Sequence, residues 1–224
     1  MNYNLLTGRE NKELTKFENY LVHSDVVTPL KNLKDAAKDE IGADLQIVSS
    51  FRSFESQQNI WNAKAQGKRE LLNSEGDKLN FESLTQDELL NSILRWSAIP
   101  GASRHHWGTD FDIYDANKIS KENLQLVGSE SDKGGPLYDF HLWLDKKLEN
   151  ESDFFRPYNR DLGGVNVEKW HLSYSPLSMK YLEAYTIDIF EQNIQQSDIL
   201  LKDQIMKKLD YFYETFVKNI SFPL

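Results

Sequence analysis

Ser103 to Asp112, SRHHWGTDFD, places two histidines, a glycine and two aspartates within ten residues. From Thr109 onward, Thr109, Phe111 and Ile113 alternate with Asp110, Asp112 and Tyr114, the period of a strand that carries acidic groups on one face. Gly108 allows a turn between that strand and the histidines. A second cluster, Glu168-Lys169-Trp170-His171, again combines a carboxylate with an imidazole. Together the clusters suggest a metal site, because a catalytic zinc takes three protein ligands and keeps a fourth position for water. The chain has no cysteine, so only nitrogen and oxygen ligands are available.

The residues alone leave alternatives open. Neighbours on an extended chain point to opposite sides, so His105 and His106 are not expected to share one metal, and spacing does not choose between them. Asp112 can return a carboxylate to the same point. Asp110 shares its strand face and is either a rival ligand or an acceptor behind one. Glu168 and His171, three apart, share a face of a helix but not of a regular strand, and WHLSY (170–174) reads as strand. A common site therefore requires the backbone around Lys169 to turn or bulge. His171 is then the third ligand and Glu168 sits beside the water. Such a metal lowers the pKa of water from about 15.7 to about 7, and a neighbouring carboxylate can pass the proton to a leaving amine. That is hydrolysis without a covalent intermediate. The sequence contains no G-x-S-x-G, no HExxH, no P-loop and no dinucleotide fingerprint.

The 224 residues suit one domain over 1–224, with a motif-bearing part at about 45–176 and a helical C-terminal extension at about 177–224. The content, 39% hydrophobic and 27% charged, is that of a globular protein rather than a disordered one. A net charge of −9 argues against nucleic acid, whose phosphates need clustered Lys and Arg. No window is apolar enough to span a bilayer, and Met1-Asn2-Tyr3-Asn4 opens no signal peptide. The expectation is a monomer, cytoplasmic as written, or in the periplasm or cell envelope if a signal has been trimmed.

Along the chain, Thr28-Pro29 predicts a helix start and Gly42 its end. LQIVSSFR (45–52) predicts a buried strand, and Ser53 caps a helix with Phe54, Gln57, Ile60, Trp61 and Lys64 on one face. That leaves Arg52 at a strand-to-helix junction. The segment 68–83 reads as a surface excursion. Thr85 and Glu88 form a capping box for an amphipathic helix that stops at Pro100-Gly101. The stretch 116–135 reads as loop, a helix follows Pro136, and 156–164 is loop again. Ser175-Pro176 opens a helix reaching Ile189, another helix covers about 198–213, and FVKNISF (216–222) reads as a closing strand.

S-x-H-x-x-G-x-x-x-D, followed downstream by E-x-W-H and preceded by F/Y-R-S-x-x-x-Q, resembles the VanY-type D-alanyl-D-alanine carboxypeptidases of the M15 zinc peptidases. The likeness runs in order from Ser49 to Tyr174. It implies zinc ligands at His105, Asp112 and His171, with His106 on a variable position. It also implies a general base and acid at Glu168, an arginine facing the substrate carbonyl or carboxylate at Arg52, a pocket-lining Gln57, and substrate contact by Ser103. The fold it implies is α+β, a central antiparallel sheet flanked by helices, as in the hedgehog signalling domain. Two positions depart from the family: Asp110, where alanine is common, and Lys169, where proline or another residue is common. The motifs do not reach past Leu177.

The function expected is a zinc carboxypeptidase that releases a terminal D-amino acid, D-alanine first, from a peptidoglycan-type peptide or from D-Ala-D-Ala itself. Within the same chemistry, an L,D-carboxypeptidase or an endopeptidase is the alternative. A hedgehog-like zinc-binding interaction module is the alternative from another class, and Glu168 counts against it because a binding module needs no general base. His23 and His141 are expected to be structural, and Trp107 and Trp170 to be core packing.

Overall fold

The computed structural model describes residues 1–149 and 152–223. Its centre is a strand, Asp110–Asp115, buried along its whole length. Helix α1 (Tyr3–Leu6) and a hairpin of β1 (Leu14–Phe17) and β2 (Tyr20–His23) precede α2 (Val27–Ile41), β3 (Leu45–Ser49), α3 (Phe54–Ala65) and α4 (Gln86–Trp96). The central strand is β4, followed by α5 (Gly128–Ser131), α6 (Tyr138–Glu149), β5 (Phe154–Phe155), β6 (His171–Tyr174), α7 (Ser175–Ala184), α8 (Ile187–Gln196), α9 (Lys202–Lys207) and α10 (Leu209–Tyr213). The four strands β3-β4-β6-β5 pair antiparallel in that order, giving the mixed fold with a central antiparallel sheet flanked by helices.

Alternation along β4 divides its side chains between two environments. Phe111 and Ile113 join Leu45, Ile47 and Leu172 in a core closed by Leu30 and Leu33 of α2 and by Phe140 and Leu144 of α6. Asp110 and Asp112 point the other way, toward the site. A second core gathers Trp61 of α3, Leu90 and Ile93 of α4, and Tyr181, Phe190, Ile194, Ile205 and Phe212 from the C-terminal helices. The segment after residue 177 therefore supplies much of the packing behind α3 and α4. It also reaches the site: Asn193 of α8 donates to Pro100 O at 2.7 Å and accepts from Arg9, bracing the turn that leads into Ser103.

Local signals set several boundaries. Ser53 caps α3 by accepting from Ser56 N at 3.1 Å, and Thr85 and Glu88 form both halves of the capping box on α4. Helix α2 starts before Thr28, because His23 Nδ1 caps a 3-10 turn over Ser24–Val26 that runs straight into it. The helix expected from Ser175 to Ile189 breaks at Tyr185, and Thr186 caps a new one. The expected closing strand at 216–222 does not form. Phe216, Val217 and Ile220 pack into the helical core, and Glu214–Lys218 takes a π-helical turn. No helix among the described residues is long and apolar enough to cross a membrane.

Candidate active site

The two histidines of SRHHW lie on a 3-10 turn, Arg104–Trp107, not on the extended chain expected. Their side chains still diverge. Gly108 ends the turn at φ +65°, a left-handed conformation open to glycine. A Cβ there would meet Leu14 Cδ2 at 2.5 Å and His23 N at 2.9 Å. The N-terminal hairpin thus clamps the passage from His105 into β4, with His23 N donating to Gly108 O at 2.8 Å.

His105, Asp112 and His171 meet, each offering one ligand atom, and all three atoms lie within 4.8 Å of one another. His105 Nε2 is 3.3 Å from Asp112 Oδ2, and His171 Nδ1 is 3.4 Å from Asp112 Oδ1. Tetrahedral ligands at about 2.0–2.1 Å from zinc stand about 3.3 Å apart, so the spacing suits that ion. Two buried atoms here, Asp112 Oδ1 and His105 Nδ1, have no hydrogen-bond partner. An orphaned carboxylate oxygen between two imidazoles is what a cation would satisfy. Asp112 faces His171 directly across the β4–β6 ladder, so sheet register brings two of the ligands together.

The turn required around Lys169 is present. His171 N donates to Glu168 O at 3.2 Å, and Glu168 N to Tyr158 O at 3.0 Å. This places Glu168 Oε2 3.3 Å from His171 Nδ1, with the Glu168 side chain still 13% exposed. Lys169 turns away toward Asp132. Burial opposes a charge on His171, yet bonds to Asp110, Asp112 and Glu168 outweigh it and raise its pKa well above the ordinary value. Burial likewise opposes the Asp112 charge, and His105 and His171 overcome it, holding the carboxyl ionised.

Asp110 stands behind the ligands. It is fully buried and accepts from Arg104 Nε at 2.7 Å, Thr109 Oγ1 at 2.7 Å and His171 Nε2 at 3.1 Å. By accepting from Nε2–H it keeps that proton on Nε2 and assigns Nδ1 to the metal position, where a bound cation would displace the proton that the metal-free ring carries. Arg104 completes this buried unit with a 2.7 Å bond to Ser173 Oγ and contacts over the Trp107 and Phe155 rings.

His106 is a brace. Gly101 N donates to its Nε2 at 3.0 Å, so Nδ1 carries the proton and bonds Arg52 O at 2.6 Å. Burial pushes its pKa down to about 3, keeping it neutral. Arg52 follows β3 and points into the cavity, its guanidinium held by Gln57 Oε1 at 2.7 Å and Ser49 Oγ at 3.0 Å. Gln57 differs from its expected place: it is fully buried, spends its amide on Arg52 and Ala98 O, and supports the arginine without lining the cavity. Ser103 is buried, makes no side-chain cap bond and borders the cavity. Trp107 packs in the core against Tyr181, whereas Trp170 borders the cavity. His23 and His141 lie outside it, capping a turn and accepting from Arg156, respectively.

The cavity, about 370 Å³, also takes in residues no motif announced: Lys64, Arg69, Arg104, Leu126 and Tyr158. Tyr158, in a segment read as loop, sets its ring edge-on to His171 at 5.0 Å, and burial raises its pKa to about 12. Leu126 forms part of the rim at φ +57°, with its N–H held by Glu130 at 2.8 Å. The excursion at 68–83 is part of this wall through Arg69 and Leu72.

A family model described as VanY, D-alanyl-D-alanine carboxypeptidase, matches residues 19–177. An uncharacterised protein of Haemophilus influenzae is 31% identical over 122 residues, covering 53% of this chain and 92% of its own length. A second from that organism is 35% identical over 100 residues, covering 42% and 68%. Among solved structures, a vancomycin-resistance D,D-pentapeptidase VanY from a VanB-type cassette, in complex with zinc, is similar at a TM-score of 0.51 and 25% identity, covering 75% of this chain and 83% of that one. The LdcB LD-carboxypeptidase shares the fold at a TM-score of 0.52 and 20% identity, covering 81% and 78%.

Proposed function

Since the chain belongs to the VanY family of D-alanyl-D-alanine carboxypeptidases, zinc metallopeptidases acting on D-alanine-containing peptidoglycan peptides, we propose that it removes a terminal D-alanine from such a peptide by D,D-carboxypeptidase action. The observation that carries this reading is Glu168 beside the meeting point of His105, Asp112 and His171, with Arg52 in the same cavity.

When bound, zinc supplies a Lewis acid that acidifies water and polarises the scissile carbonyl. Glu168 takes the proton from the attacking water and returns it to the leaving amine. Its position supports this, since it is partly exposed to the cavity and has no Lys or Arg partner among the described residues. Arg52, fixed by Gln57, Ser49 and the backbone bond to His106, receives the substrate's terminal carboxylate, and Ser103 lends its hydroxyl nearby. Burial lowers the Arg52 pKa while Asp112 and Glu168 oppose that shift, and an arginine so perturbed keeps its charge. Asp110 orients His171, and Trp170 and Tyr158 exclude bulk water from the reacting atoms.

Digestion of defined muropeptides, with products identified by mass spectrometry, tests the proposal. Release of D-alanine from a D-alanyl-D-alanine terminus is the expected result. Release only after an L-centre, or cleavage of an internal bond, would replace it with the L,D-carboxypeptidase or endopeptidase reading.

A further inference from the structure

One residue on the cavity rim is held in a strained backbone. Among the described residues only Glu18, Leu126 and Leu201 take positive φ without being glycine, and of these only Leu126 borders the cavity. Its φ of +57° lies in the left-handed region, where a Cβ crowds the following carbonyl and glycine does not. Glu130 imposes this conformation. Its buried carboxylate accepts from three successive backbone groups: Gln125 N at 2.9 Å, Leu126 N at 2.8 Å and Val127 N at 3.3 Å. Glu130 is fixed in turn, with Leu137 N donating to its carbonyl at 2.8 Å. Gly135 permits that close passage, since a Cβ there would meet Glu130 O at 2.5 Å. A strained residue persists where its surroundings over-determine it, and these bonds keep Leu126 from swinging clear.

The segment is also braced on both sides. Lys169, next to Glu168, reaches Asp132 Oδ1 at 3.6 Å, and Asp132 N bonds Gly128 O at 3.0 Å. On the other side, a Cβ on Gly76 would lie 3.9 Å from Val127 Cγ1. The loop around Gly76 is itself tied down, because Trp96 Nε1 donates to Asn73 O at 3.0 Å and Asn166 Nδ2 to Ser74 O at 2.9 Å. Residues 125–132 thus bridge the Glu168 turn and the excursion at 68–83. Leu72, Trp96 and Val165 add apolar surface to the same lining. A fixed apolar wall in the cavity of the proton-transferring carboxylate discriminates between substrates by the size of their side chains.

We propose that Leu126 is a specificity-determining residue, which sets the size limit for the side chains flanking the scissile bond, admitting methyl groups and rejecting longer ones. The proposal deepens the carboxypeptidase reading and rests on it for the identity of that bond. A D-alanyl-D-alanine terminus carries a methyl group on each side of the bond and so satisfies the limit.

The test uses three N-acylated peptides ending in D-Ala-D-Ala, D-Ala-D-Leu and D-Leu-D-Ala. With the zinc-loaded protein, kcat/KM is expected to favour D-Ala-D-Ala over at least one leucine peptide by about 100-fold. Leu126→Gly takes the same backbone without strain and should lower that preference by about tenfold. Leu126→Asn, which also tolerates positive φ, should lower it as well, which separates loss of the branched side chain from loosening of the loop. Calorimetric binding of the three peptides to zinc-loaded Glu168→Gln, with and without Leu126→Gly, provides a reading independent of turnover. Ratios near one in the wild type, or a preference unchanged in both Leu126 variants, overturn the assignment. If no peptide is cut, the peptidase reading fails, and the binding preference alone decides the role of Leu126: its absence, or its persistence in Leu126→Gly, overturns it.

Discussion

Asp110→Ala separates the support of the metal site from the metal site itself. In the native protein the carboxylate has no solvent access and accepts three hydrogen bonds, from Arg104, Thr109 and His171. Its removal leaves the Arg104 guanidinium, 4% exposed, with one bond to Ser173 and two aromatic faces, and Nη1 has no partner to begin with. Removing one member of a buried ion pair costs about 3–5 kcal/mol, because the other charge is stranded. His171 also loses the acceptor that fixes its tautomer, and such a loss weakens metal affinity about 10–100-fold. Adding Arg104→Met removes the stranded charge, so the double variant should recover much of the stability while zinc affinity stays low. Urea unfolding of the metal-free proteins measures the first quantity, and competition with a chromophoric chelator the second. Wild-type zinc affinity in Asp110→Ala, or recovery of both quantities in the double variant, refutes the role given to Asp110.

Two further outcomes follow from the same contacts. His106→Ala removes the acceptor for Gly101 N and the donor to Arg52 O. At about 0.5–1.5 kcal/mol per bond, the loss should lower stability in urea unfolding by about 1–3 kcal/mol. It should also raise KM through a displaced Arg52, and an unchanged KM would contradict the brace. The pH dependence of stability in the metal-free protein should reflect buried histidines. Burial holds His106 and His141 at about 3. Between there and about 6.5 the unfolded chain binds protons that the folded chain does not, so stability falls as pH falls, by up to about 1.4 kcal/mol per unit for each. His171, raised, acts oppositely: its contribution is full below about 6.5 and is lost as pH rises. From pH 7 to pH 5 His106 and His141 together lose about 4 kcal/mol while His171 returns less than about 1, so the net loss is about 3 kcal/mol, and equal urea midpoints at the two values would contradict it.

What could be read from the sequence divides along the range of the physics involved. Caps such as Ser53 and the Thr85–Glu88 box are settled within four residues, and the alternation through Asp110–Asp112 reports one apolar and one acidic face directly. The 3-10 turn at Arg104–Trp107 has no such local signature, since it is drawn in by Arg52 N bonding His105 O from another segment. The N-terminal hairpin turns at Glu18, φ +53°, without the glycine that would have advertised it, and two-residue β5 is too short for a period. Within the site, spacing could not choose between His105 and His106; only the agreement of three separated motifs did. Arg104, Tyr158, Lys64 and Arg69 stayed hidden because their relation to the cavity depends on segments packing together.

Glu168 is proposed to move the proton at a zinc that His105, Asp112 and His171 would hold. Bound zinc and D-alanine release, measured on the same Glu168→Gln sample, test it most directly. Expected are about one zinc per chain, as in the wild type, and turnover lower by about 10²–10⁴-fold, the usual contribution of general acid–base catalysis. A zinc-replete Glu168→Gln protein that releases D-alanine at the wild-type rate would contradict it.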